Sequence, residues 1–384
     1  MIPRAITDKV RYFASKYPVV TLTGPRQSGK STLLKNAFPD YQYLSLEDPD
    51  ILLRAKEDPR LFLRQYPNRI IIDEAQRFPQ LFSFMQTHVD NEGKEGMYLL
   101  SGSQNFLLRE NISQTLAGRT AILKLLPFSF SELEQHGFEF PQFESIVFKG
   151  GYPRIYQKNL EPHEFYPFYS QTYIERDVRQ VQNVSNLDLF VRFVKLCAGR
   201  VGQLLNISAL ANDCGITQPT AKAWLSVLEA SYIIFFLRPF HKNYSKRLVK
   251  SPKLYFIDTG LACSLLGIST ESQLSNHFLR GGLFENWVIL EMVKKSFASG
   301  QEPSLYFWRD NTGNEIDLLI EKSGALTVIE VKAGSTYTQG FLKNLNFWKK
   351  IQVDEGSNLA IVYGGDKTIE TPHARLISWK DWAR

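Results

Sequence analysis

"VVTLTGPRQSGKSTLLKNAF", residues 19–38, opens as an apolar, β-branched run, passes through a turn bounded by two glycines and continues in helix formers. From Gly24 to Ser31 it spells G-x-x-x-x-G-K-S, in the strand-to-helix setting that gives this pattern its physical meaning. Gly24 and Gly29 leave the backbone free to point successive N–H groups into one anion-binding nest, and the start of the helix adds its partial positive charge. Pro25, Arg26, Gln27 and Ser28 form the loop between the glycines. Lys30 is placed to reach the β- and γ-phosphates of a nucleotide, and Ser31, followed by Thr32, to ligate Mg²⁺. A glycine-rich turn opening an ordinary helix is the plainer alternative, and the length of the pattern and its flanks argue against it.

Two further apolar runs end in chemistry. "NRIIIDEAQRF", residues 68–78, delivers Asp73 to the end of a strand, where a second carboxylate would hold the Mg²⁺ shell. Glu74 beside it is placed to polarise the attacking water. "MYLLSGSQNF", residues 97–106, ends in Ser103 and Gln104, which read either as sensors of the γ-phosphate or as a polar turn. Arg119 then sits at a helix-to-strand turn. It is either a surface cation or a finger that stabilises the phosphoryl group at a neighbour's site.

"GPRQSGKSTLL", "IIIDEAQ", "LSGSQNFLL" and "LAGRTAILKLLPFSFSEL" together resemble the AAA+-type P-loop ATPases of the prokaryotic family whose C-terminal half is DUF4143. Later stretches, "GGYPR", "YIERDV", "SPKLYFIDTGLA", "LFENWVILEM" and "IEVKAG", extend the resemblance along the chain. It implies an α/β protein: a P-loop ATPase core with a parallel sheet at 1–137, a helical lid at 138–200, a winged helix at 201–252 and a restriction-endonuclease-like domain at 253–384. ATP and Mg²⁺ are the ligands implied, and a homo-oligomer the expected assembly.

The middle of the chain carries Phe and Tyr at helical spacing, as in "PHEFYPFYSQTYIERDVRQV", residues 162–181, which reads as helix-packing core, with base stacking the lesser alternative. Residues 206–240 then read as helix, turn at Gly215, second helix and strand, a helix-turn-helix pattern whose second helix offers only Gln218 and Lys222 to a base edge. The run Arg238 to Lys253 holds six Lys/Arg and no acid, which reads as a solvated hairpin, as a phosphate-tracking element for nucleic acid, or as a surface docking to the partner ATPase domain.

Near the C-terminus, "RGGLFENWVILEMVKKSF", residues 280–297, has apolar residues in helical rhythm, which puts Glu285 near the buried side, where an acid needs a partner. "NEIDLLIEKSGALTVIEVKAG", residues 314–334, reads as a hairpin. Its period of two turns Glu330 and Lys332 to one side, and Asp317 can meet Glu330 across the pair. Hard oxygen ligands beside a lysine suit Mg²⁺, with Lys332 orienting a water. The arrangement resembles the PD-(D/E)xK phosphodiesterases, with Glu285, Asp317 and Glu330 as metal acids; it departs from them in having Ile316 before the aspartate. Cleavage of DNA and an inactive domain that only binds nucleic acid or protein both remain open.

The totals bound these readings. No apolar run approaches the ~20 residues of a membrane span and the opening lacks a signal-peptide core, so a cytoplasmic protein without membrane contact is expected. Cys197, Cys214 and Cys263 are odd in number and widely spaced, which argues against disulfides and a zinc site. A net charge of +6 is compatible with a polyanionic partner without requiring one.

Overall fold

The computed structural model describes residues 2–103, 115–178, 186–240, 250–322, 324–351 and 358–384. They form two compact units, one of residues 1–128, 230–232 and 294–301, the other of 129–229, 233–293 and 302–384. Among the described residues no helix is long and apolar enough to cross a membrane.

The first unit is built on five parallel strands, β1 (Val19–Thr23), β2 (Gln42–Ser45), β3 (Ile70–Asp73), β4 (Tyr98–Gly102) and β5 (Thr120–Lys124), in the order β2-β3-β4-β1-β5. Strands β1, β3 and β4 are buried along their whole length, as expected where both faces of a parallel sheet are covered. Alternate residues divide between two cores. Val20, Leu22, Ile71 and Leu99 pack with Val10 and Leu34, whereas Val19, Ile70, Ile72 and Leu100 pack with Phe82 and Met85. The carboxyl ends of β1, β3 and β4 therefore lie side by side, where open α/β sheets bind ligands.

The second unit begins in helices, among them Phe143–Lys149, Pro162–Tyr169 and Leu187–Ala198. Phe165, Tyr166, Tyr169 and Tyr173 are buried, as helical spacing predicts, whereas Phe168 is 64% exposed; beyond that stretch Phe190 and Phe193 pack edge-on to Trp224. Helices Ile207–Cys214 and Gln218–Ala230 follow, joined at Gly215. Lys222 stands exposed, but the Gln218 amide donates to the Ser208 hydroxyl at 2.8 Å and so ties one helix to the other.

Strands β6 (Ile234–Pro239) and β7 (Lys253–Phe256) pair antiparallel, but they are not a free-standing wing. β6 also pairs with β8 (Leu305–Arg309). The mixed sheet continues through β9 (Glu315–Lys322), β10 (Ala325–Lys332), β11 (Asn358–Tyr363), β12 (Ile369–Glu370) and β13 (Arg375–Ser378), in the order β12-β13-β11-β10-β9-β8-β6-β7. The division expected at 252–253 thus falls inside one sheet. Most of the basic run, residues 241–249, lies outside the described residues. Arg238 and Lys250 are exposed, whereas Lys253 is buried at 2% exposure rather than displayed to solvent.

Candidate nucleotide site and terminal acid cluster

The P-loop leaves β1 through Gly24, whose φ is +150° and where an added Cβ would lie 2.1 Å from the Leu125 carbonyl oxygen, so a side chain cannot be accommodated. It closes at Gly29, with φ +93°, directly before the helix Lys30–Ala37. Arg4 braces the loop from behind, donating to the carbonyls of Ser28 (2.8 Å) and Leu126 (2.6 Å). Tyr232 shares a 2.8 Å hydrogen bond with the hydroxyl of Thr23, the last residue of β1.

Within the loop the buried Lys30 ammonium donates to the carbonyl oxygens of Gly24 (3.0 Å) and Pro25 (2.8 Å). Burial lowers its pKa to about 8, against the opposing pull of Glu74 and Asp73. The Ser28 hydroxyl is buried with no hydrogen-bond partner. Arg26 lies 3.7 Å from Glu47, and Gln27 and Thr32 are exposed.

Asp73, at the end of β3, is the hub of the site. One carboxylate oxygen accepts from Ser31 (2.7 Å) and Tyr43 (2.6 Å), the other from Ser101 (2.5 Å) and the Glu74 N–H (3.1 Å). Glu74 holds φ +52°, a left-handed conformation that costs a side chain roughly 1–3 kcal/mol and recurs at functional turns. Its carboxylate accepts from Gln76 and, at 3.4 Å, from Ser103, and burial raises its pKa. Gln104 lies outside the described residues. The donor set suits a nucleotide with Mg²⁺: an unpartnered buried hydroxyl in the loop, a lysine that can exchange loop carbonyls for phosphate, and a serine already touching the aspartate.

Arg119 lies elsewhere. It precedes β5, whose Thr120 pairs with Val19 at the start of β1, so it stands at the opposite end of the sheet from the P-loop, roughly 15 Å away by strand length. There its guanidinium grips Asp90 bidentately at 2.6 and 2.8 Å. It does not reach the nucleotide site of its own chain.

In the second unit the expected acids do gather. The helix Arg280–Ala298 is docked on β7 by the buried Asn286, whose side chain accepts from the Phe256 N–H (2.7 Å) and donates to the Phe256 carbonyl (2.8 Å). That places Glu285 beside Lys253 and Tyr255, two residues of β7 that share one face of the strand. The Lys253 ammonium donates to Glu285 at 2.9 Å, is bonded to Glu315 and lies 4.0 Å from Asp317, and the Tyr255 hydroxyl donates to Glu285 at 2.5 Å. Asp317 also accepts from the Val331 N–H (2.8 Å) and lies 3.7 Å from Lys332. Lys332 donates to Glu330 at 2.6 Å, and Asn344 reaches the same carboxylate at 3.2 Å.

The structure thus gives Glu285, Asp317 and Glu330, the acids expected to hold a metal, ammonium partners in Lys253 and Lys332. Among the described residues no three His, Cys, Asp or Glu side chains are grouped so as to hold a metal ion. The carboxyls of Glu285, Glu315, Asp317 and Glu330 are met by three cations, Lys253, Lys332 and Arg309. Burial pushes the carboxyls of Glu285 and Glu330 up. Burial would lower Lys253, but Glu285, Tyr255, Asp317 and Glu315 together raise it well above an ordinary lysine, so it stays an ammonium. Lys332 pairs with the acids, and Lys253, Tyr255 and Asn344 are members of the cluster that the sequence reading missed. In the nucleotide site it missed Arg4, Tyr43, Gln76 and Ser101. Lys253 and Tyr255 alternate on one face of β7, but nothing local marks that face as buried, and the others carried no signal.

Profiles of three families match the chain: the AAA domain over residues 16–134, a domain of unknown function (DUF8612) over 140–272, and a domain of unknown function (DUF4143) over 280–382. The uncharacterized protein Rv2008c of Mycobacterium tuberculosis is 31% identical over 369 residues, covering 94% of this chain and 80% of the relative. The uncharacterized protein MJ1544 of Methanocaldococcus jannaschii is 22% identical over 79% of this chain and 72% of its own length. Among solved structures, the Walker-type ATPase PABY2304 of Pyrococcus abyssi overlays with a TM-score of 0.47 at 15% identity, over 69% of this chain and 96% of that one. With a five-stranded parallel P-loop core, a helical middle and a mixed C-terminal sheet, the chain belongs to the family of P-loop AAA proteins that carry DUF4143 at their C-terminal end, together with its Mycobacterium tuberculosis relative.

Proposed function

We propose that the protein binds and hydrolyses ATP in the cytoplasm and that the nucleotide state controls how the chain holds nucleic acid. The observation that carries hydrolysis is the convergence of Lys30, Ser31, Asp73 and Glu74, with Ser31 and Asp73 in direct contact at 2.7 Å. Lys30 would exchange the loop carbonyls for phosphate oxygens. Ser31 and Asp73 would hold Mg²⁺, which when bound neutralises charge on the β- and γ-phosphates. Glu74 accepts the proton of a water whose oxygen attacks the γ-phosphorus; the bond to the bridging oxygen breaks, leaving ADP and phosphate. Gln76 and Ser103 hold that carboxylate in place.

Nucleic acid is favoured over a protein partner by the exposed cations Lys222, Arg238 and Lys250 on one unit. Phosphodiester cleavage is left out of this reading because Lys253 stands among the acids that would bind the metal.

The test pairs two variants. Lys30→Ala is expected to lose nucleotide binding and turnover together. Glu74→Gln should still bind ATP and lose turnover by roughly 10²–10⁴-fold. If Lys30→Ala hydrolyses ATP at the wild-type rate, the site assignment fails. Fluorescent single- and double-stranded DNA, titrated with the ATP-trapped Glu74→Gln protein and with nucleotide-free protein, reads the second part. Equal affinity in the two states would turn the proposal toward a protein partner.

A further inference from the structure

Lys253 is a buried cation that takes no part in the nucleotide site. Lys253 is 2% exposed on β7, the last strand of its sheet, and its ammonium is enclosed rather than snorkelling to water. Glu285 lies 2.9 Å away, Glu315 is bonded to it, Asp317 lies 4.0 Å away and the ring of Phe307 closes the shell at 5.6 Å. Carboxylate oxygens from a helix and a strand converge here on an ammonium, and among the described residues no three of them are grouped to hold a divalent cation as they stand. Here that centre already carries a positive charge. A second cation bound by the same oxygens would sit within about 4 Å of the ammonium, where repulsion in a protein interior is strong. Lys332, 2.6 Å from Glu330 and 3.7 Å from Asp317, compensates the other side of the cluster in the same way.

We propose that Lys253 is a resident cation occupying the metal position of the terminal cluster, so that this domain holds its acids together without a metal, and that removing the ammonium creates a divalent-cation site. The inference is independent of ATP hydrolysis, which is read separately.

The experiment is Mn²⁺ binding to the full chain without nucleotide, followed by water-proton relaxation, for wild type, Asp317→Asn, Lys253→Met and the double variant. Wild type and Asp317→Asn are expected to bind Mn²⁺ indistinguishably. Lys253→Met should gain a site at least about tenfold tighter than any in wild type, and adding Asp317→Asn should remove it. The same substitution strands buried carboxylates, so its melting temperature should fall in EDTA and recover with Mn²⁺, which wild type should not do. Its ATPase rate should stay at the wild-type value, which checks that the first unit is folded. A wild-type Mn²⁺ site that disappears in Asp317→Asn overturns the proposal. So does a folded Lys253→Met protein that gains no Asp317-dependent site. If that variant does not fold, the comparison of wild type with Asp317→Asn decides alone.

Discussion

The two carboxylate centres of this chain differ in what their oxygens touch, and the difference sets what each can bind. The oxygens of Asp73 accept from neutral groups, the hydroxyls of Ser31, Tyr43 and Ser101 and one backbone N–H, so its charge is oriented but not cancelled. The oxygens of Glu285 and Glu330 accept from ammonium groups at 2.9 and 2.6 Å, so their charge is spent within the protein. Tyr43 matters most among the hydroxyls because it shares an oxygen with Ser31 and fixes the direction in which Asp73 faces the P-loop. Tyr43→Phe removes that orienting bond while keeping the ring on which Lys35 lies at 3.4 Å. Half-saturation of the ATPase by Mg²⁺ should rise about tenfold, and stability should fall by about 1 kcal/mol. Titration of the steady-state rate with Mg²⁺ checks the first, and thermal unfolding the second. An unchanged Mg²⁺ requirement would leave Tyr43 a packing residue.

Among the elements, the stretch that leaves β7 concentrates several contacts on one acid. Asp258, 2% exposed, caps the helix Thr259–Leu265 by accepting from the Leu261 N–H (2.9 Å), and it also accepts from the Gly151 N–H (2.7 Å) and the Tyr166 hydroxyl (2.6 Å). Asp258→Ala leaves a helix uncapped, strands the buried Gly151 N–H and leaves the Tyr166 hydroxyl only the Lys149 carbonyl at 3.0 Å, a loss of about 3 kcal/mol. Urea denaturation should show a lower midpoint at unchanged slope, and a fall below about 1 kcal/mol would mean that the donors find other partners. Local patterns made much of this legible. The apolar runs around Val20, Ile71 and Leu99 gave the buried strands, the glycine spacing gave the loop, and the aromatic rhythm around Tyr166 gave packed helices. The terminal cluster was legible only in part. Glu285, Asp317, Glu330 and Lys332 follow from periodicity, but Lys253 ends a run of surface-like cations, and its burial is decided by β6 pairing with β8 fifty and more residues onward. Tyr43, itself half-exposed on a short strand, and Arg4, near the start of the chain, act through tertiary contacts that no local pattern marks.

For the whole molecule, Arg119 makes assembly a question about catalysis. At the far end of β1 and β5 from the P-loop, it cannot serve its own nucleotide, so any catalytic role must be exerted on a neighbouring chain. In the structure it is occupied by the bidentate grip of Asp90, which a neighbour's phosphates would have to displace. If the chain works as a homo-oligomer, ATP turnover per chain should rise with protein concentration through the assembly range, because an arginine supplied between subunits stabilises the transferring phosphoryl group by up to about 10³-fold or more. Arg119→Ala should flatten that rise while leaving ATP affinity unchanged. Asp90→Asn weakens the grip and should steepen the rise, since less is lost when the guanidinium moves across. Sedimentation velocity on the same samples separates a loss of assembly from a loss of the finger: Arg119→Ala should assemble as wild type does and still fail to accelerate. Turnover per chain that stays constant in wild type while the protein assembles would remove Arg119 from catalysis and leave it the surface ion pair that its contacts with Asp90 describe.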